Sequence, residues 1–163
     1  MNTMKVILTV SIGLALFGCN KQNHPSASVS EIGARMTTLM KQHHFNEAAQ
    51  LGIDSATGER SDATIYYFVA LAYAERAHYE PATRDDALKL VSEYSGKCVA
   101  LDPDNQTNRI NIAWVLEYAG DVDSSSRCKF YSDSEKLLNQ ISSEAPGDAA
   151  LKNHLAENTS PHL

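Results

Sequence analysis

The residues of this chain that could do chemistry are three cysteines, six histidines and a scatter of carboxylates, and most of them stand at spacings unsuited to a reaction centre. His43 and His44 are adjacent, and helical neighbours point about 100° apart, so the two cannot face one ion from a single helix. Asp121-Val122-Asp123-Ser124-Ser125 opens with the acidic alternation of a calcium loop. Its sixth position, however, is Ser126 where glycine is needed, and its twelfth is Ser132 where a bidentate glutamate is needed. A solvated turn accounts for it. Glu31, Glu47, Glu75, Glu93 and Glu117 are spread along periodic segments as polar faces, not as a paired acid and base. The chain holds no phosphate-cradling glycine loop, nucleophile elbow or zinc spacing. The expectation is therefore a protein that is not an enzyme and that carries no metal or other cofactor.

The thiols are more informative, because one of them closes a recognisable segment. Met1 to Lys5 is a short start with one positive charge, Val6 to Phe17 is largely apolar, and Leu16-Phe17-Gly18-Cys19 ends the run on a small residue and a cysteine. The apolar stretch is well short of the roughly 20 residues that span a bilayer. These residues resemble a bacterial lipoprotein signal, although Phe17 is uncommon at its place in that box. The resemblance implies cleavage before Cys19, lipidation of its thiol, and attachment to a membrane through several acyl chains. The alternative is an ordinary secretory signal that leaves Cys19 as a thiol. Asn20 directly after the anchor, instead of aspartate, implies sorting to the outer membrane, with the protein facing the periplasm as in enteric lipoproteins. On this reading residues 1–18 are the signal peptide, 19–28 a polar lipid-anchored tether, 29–157 one helical domain and 158–163 a flexible tail.

The 163-residue chain has a formal net charge of −6, and losing a signal that contains Lys5 and no acid would make it more acidic still. No Lys/Arg-rich segment stands out, which argues against nucleic acid and against a polybasic membrane patch. What remains after the signal is enough chain for one core. Outside the cytoplasm disulfides persist, so Cys98 and Cys128, an even pair once Cys19 is set aside, are expected to form a bridge. Two separate thiols are the other arrangement the sequence allows.

The elements that would position these groups show a repeat. Ile32, Met36 and Leu39 share a helical face, and Tyr66, Ala70 and Tyr73 recur at the same spacing 34 residues later. A third occurrence, Ile112, Ala113 and Leu116, follows Leu101-Asp102-Pro103 and precedes Gly120-Asp121. These residues resemble the tetratricopeptide repeat, a helix-turn-helix unit of about 34 residues. Arg35, Arg109 and Gly52 depart from the pattern, and extra residues fall near Tyr79 to Arg84 and Val122 to Lys129. The fold class expected is all-α, a short tetratricopeptide-like helical-hairpin solenoid of about three repeats with a C-terminal capping helix. The periodicity predicts helices near 29–43, 45–55, 62–78, 84–100, 105–119, 130–144 and 148–157. Asp62 and Asp148 are placed to cap starts, and Gly120 and Pro146 to interrupt helices. Leu151 and Leu155 would close the open end of the stack.

The resemblance also implies a site. In that family the first helix of each pair lines a groove that holds a peptide or a partner helix. Carried over position by position, the groove takes Thr37 and Met40 from the first unit, Tyr67 and Leu71 from the second, and Ile110, Trp114 and Tyr118 from the third. Aromatic anchors of this kind are typical of binding surfaces; the same spacing also suits side chains packed into a core. The function expected is a non-catalytic adaptor lipoprotein that binds a protein or peptide partner in the bacterial envelope, as in a pilus or secretion assembly. An immunity or inhibitor lipoprotein that sequesters a toxin or hydrolase is the alternative.

Overall fold

A computed structural model describes residues 27–56 and 62–144. The signal segment, Cys19 with most of the tether, the expected capping helix at 148–157 and the tail at 158–163 lie outside the described residues. Those described are all-α: six helices and a single 3-10 turn, with no strand among them.

Helix starts have local causes. Ser28 and Glu31 form a reciprocal capping box at the head of α1 (Val29–Lys41): the Ser28 hydroxyl accepts from the Glu31 amide at 3.2 Å, and the Glu31 carboxylate accepts from the Ser28 amide at 2.6 Å. The Ser28 amide first, and the Ser28 hydroxyl second, donate to the Glu31 carboxylate and hold it below its ordinary range. α1 ends with His43 in the left-handed region at φ 61°, while the His43 and His44 amides return to the carbonyls of Met40 and Leu39. Glycine usually fills that position because it has no Cβ to clash. α2 (Phe45–Ser55) starts directly after this turn. Asp62 caps α3 (Ala63–Tyr79) through the Thr64 amide at 2.7 Å, and Asn105 caps α5 (Gln106–Val122) through the Asn108 amide at 3.0 Å. Between them a 3-10 turn at Pro81–Thr83 leads into α4 (Arg84–Leu101). α6 spans Arg127–Glu144.

Each helix packs on the next, and α3 also packs on both α1 and α5. The backbones of α2 and α4 do not approach each other, nor do those of α4 and α6. Odd-numbered helices thus line one side of the molecule and even-numbered helices the other. α3 is the centre of this arrangement and is apolar nearly all round, as a helix covered on several sides must be. Its Ala70, Ala72, Ala74 and Ala77 are fully buried, small enough for four neighbours to come close. Met36, Ile65, Val69, Val91 and Ile112 fill the spaces between helices. Ala113, Leu138 and Ile141 form a smaller cluster between α5 and α6.

Two sequence expectations are corrected here. Gly120 does not interrupt a helix: it is a buried residue inside α5, where a Cβ would lie 2.8 Å from the Tyr131 ring of α6. Its use is close helix approach, which outweighs the cost of about 1 kcal/mol that glycine carries in a helix interior. The actual reversal is Asp123–Ser126, with the Asp123 carboxylate accepting from the Ser126 amide at 3.0 Å and from the Ser125 hydroxyl at 2.5 Å. The expected insertion at 122–129 is therefore only a short turn, and Cys128 sits in the first turn of α6.

The second correction is the disulfide. Cys98 and Cys128 are separate thiols, the first buried in the core and the second exposed. Burial pushes the Cys98 thiol up to about 12. Alkylation of the folded protein followed by peptide mapping is therefore expected to modify Cys128 within minutes and leave Cys98 untouched until the chain unfolds. Since the folded Cys98 holds its proton more tightly than an unfolded cysteine, this contribution to stability is complete below about pH 9 and lost as pH rises towards 12. Cys98→Ala should flatten that alkaline dependence.

Candidate functional site

The seven residues assigned to a groove do not share one environment. Met40 is only 9% exposed and belongs to the core, which removes it from the site; α1 turns it towards the packed side together with Ile32 and Met36. Thr37 is half-buried, and its hydroxyl donates to the Gly33 carbonyl of its own helix at 2.8 Å. Tyr67 and Leu71 are partly covered and lean on the main core, where burial raises the Tyr67 phenol. Ile110 packs against the small α5–α6 cluster. Trp114 is 52% exposed, so it is a surface residue and not a core one. Tyr118 is partly buried and is the member of the set that enters a larger structure.

That structure is a ladder of rings across the α1–α2 turn, the end of α3 and the last turns of α5. Phe45 stacks on Tyr79 with centroids 5.6 Å apart and planes 12° apart. The left-handed turn aims His43 edge-on at both, 5.4 Å from Phe45 and 4.6 Å from Tyr79. On the other side His78 meets Tyr79 edge-on at 4.7 Å and lies 5.7 Å from Tyr118. The Tyr118 hydroxyl then donates to the Glu75 carboxylate at 3.3 Å. Burial first, and the neighbouring Glu75 charge second, raise the Tyr118 phenol far above its ordinary range. Trp114 precedes Tyr118 by four residues and so continues the same face of α5 by one turn.

The ladder draws on all three helical hairpins and combines rigidity with exposure. Phe45 at its base is 2% exposed, while Tyr79, held by rings on three sides, is 53% exposed. The Phe45–Tyr79 stack contributes about 0.5–1.5 kcal/mol beyond its buried area. Acidic groups border it: Glu47 lies 3.1 Å from the His44 ring, and Glu80 accepts from Arg76 at 3.1 Å. Among the described residues no group of three or more His, Cys, Asp or Glu side chains is placed to hold a metal ion. What the arrangement offers chemically is stacking and a few hydrogen bonds, the means by which a surface grips another chain.

His43, Phe45, His78 and Tyr79 were not among the residues the sequence pointed to. Their helices were legible, but the ladder forms between helix ends brought together from three hairpins, and no spacing along one helix encodes that. The nearest signal was the run of rings at each helix end, His43-His44-Phe45 and His78-Tyr79. No family model, curated protein or solved structure matches the chain.

Proposed function

We propose that this protein is a non-catalytic, lipid-anchored adaptor of the bacterial envelope that grips a segment of a partner protein along the face formed by α1, α3 and α5. In this reading Cys19 carries the anchor, the protein faces the periplasm from the outer membrane, and the helical pairs act as tetratricopeptide-like units in a pilus or secretion assembly. The single observation that carries the binding is the ring ladder, which spans three hairpins, holds the half-exposed Tyr79 and lies one turn of α5 from the half-exposed Trp114. The order of helix packing, each on the next and odd helices on odd, is what stacked hairpins require. The anchor rests on the Leu16 to Cys19 segment.

A photo-crosslinking amino acid placed at Tyr79 or at exposed Glu135 of α6 tests this in living cells. The expected result is a discrete adduct with one envelope protein from position 79 and none from 135, and its loss in Cys19→Ala, which should also abolish labelling by a fatty-acid analogue. Adducts of equal yield from both faces would reject the adaptor, and undiminished lipid labelling of Cys19→Ala would reject the anchor. A stoichiometric complex with a soluble hydrolase would instead favour an inhibitor.

A further inference from the structure

One face of α5 stays outside the core. Gln106, Ile110, Trp114 and Glu117 follow one another at spacings of four and three, so they form a single stripe along the helix. None of the four is fully buried, and Trp114 is 52% exposed. The remaining faces of α5 pack on α3, α4 and α6.

The path of the chain indicates what covers the stripe. α6 runs back along α5: the Tyr131 hydroxyl donates to the Asp121 carboxylate at 2.8 Å, the Ser134 hydroxyl to Glu117 at 2.9 Å, and the Arg109 guanidinium to both carboxylate oxygens of Glu144. Arg109 is buried, so this last clasp fixes the end of α6 beside the head of α5. Ala145-Pro146-Gly147 comes next in the sequence, and proline with glycine favours a reversal over another turn of α6. Three residues reach up to about 10 Å, the spacing of packed helices. Because each helix packs on its predecessor and odd helices lie on odd, the place that follows α6 is beside α5, on the side of α1 and α3. The sequence pattern over 148–157 predicts a helix about 15 Å long, and its Leu151 and Leu155 stand four apart, as Ile110 and Trp114 do.

We propose that residues 148–157 of this chain seat on the α5 stripe through Leu151 and Leu155, cover Ile110 and Trp114, and so compete with the partner for Trp114. A segment tethered this closely meets its seat at an effective concentration in the millimolar range, so even a weak contact holds it there. A partner that also grips Tyr79 can displace it. The competition rests on the adaptor reading, whereas the seating does not.

Trp114 is the chain's single tryptophan, so its emission reads the stripe directly. In the purified protein, Leu151→Glu combined with Leu155→Glu should shift that emission to the red and raise its quenching by acrylamide, with most of the helical signal kept. A photo-crosslinking amino acid at Leu155 in the otherwise unchanged protein should join the tryptic peptide 110–127 of the same chain, a readout that stands even if the double variant misfolds. In cells the double variant should raise the partner adduct from position 79 about fivefold, as when a seat filled about four-fifths of the time is vacated. Unchanged emission in the folded double variant, or a cross-link to α4 in place of α5, would overturn the seating. So would cross-links between chains or emission that changes with protein concentration, which assign the stripe to a second copy. A position-79 adduct present in the wild type and not raised in the double variant would overturn the competition. No adduct in either would count against the adaptor reading, and the seating is then decided by emission and cross-link alone.

Discussion

Phe45→Ala is expected to lower the free energy of unfolding by roughly 3–5 kcal/mol, measured by urea denaturation followed by circular dichroism. Phe45 is 2% exposed and is the buried base on which Tyr79 stacks and against which His43 stands, so truncation leaves both a cavity and two unsupported rings. The left-handed backbone at His43 is disfavoured for a residue with a Cβ, and its ring contacts help to offset that. The variant should therefore also lose near-ultraviolet dichroism from Tyr79, beyond the signal of one phenylalanine. Leu101→Ala is the control: Leu101 is 43% exposed, and its loss should change stability by no more than about 0.5–1 kcal/mol. A Phe45→Ala effect as small as that control would mean that the ladder is not built on a packed ring.

Trp114→Ala is expected to act on binding and not on folding. With half its surface exposed, the side chain has little buried area to lose, and unfolding should shift by less than about 1 kcal/mol. Affinity for the crosslinked partner should fall by about 2 kcal/mol, close to thirtyfold, as for an aromatic anchor at the centre of an interface. Both quantities belong on the same preparation, because a loss of fold would imitate a loss of binding. A lowered melting temperature with unchanged affinity in the folded fraction would return Trp114 to the core and remove it from the site. Tyr79→Ala, within the ladder, should weaken the same complex, and doing both in one chain tests whether one partner spans them. An additive loss is expected if the two rings touch separate parts of that partner.

The sequence by itself determined the parts of this protein whose energies are local. Apolar residues recurring every three or four positions, with Asp62 standing at a start, specify helices because backbone hydrogen bonds, caps and one greasy face all act within a few residues. Short connections then oblige consecutive helices to pack against each other, so an all-α arrangement of adjacent pairs was legible before any coordinates. Tertiary structure decided everything that depends on what faces what. Met40 and Trp114 were assigned to the same groove by the same register, yet one is covered by neighbouring helices and the other is half open to water. Gly120 read as a helix end, but the Tyr131 ring of α6 turns it into a contact point inside α5. Cys98 and Cys128 are an even pair in composition and two unconnected thiols in space, because α5 ends three residues later than expected and α6 starts three residues earlier. The ladder from Phe45 to Tyr118 belongs to the same class. It is assembled from helices distant in sequence, and the burial and ring-stacking energies that select it arise only once those helices have met.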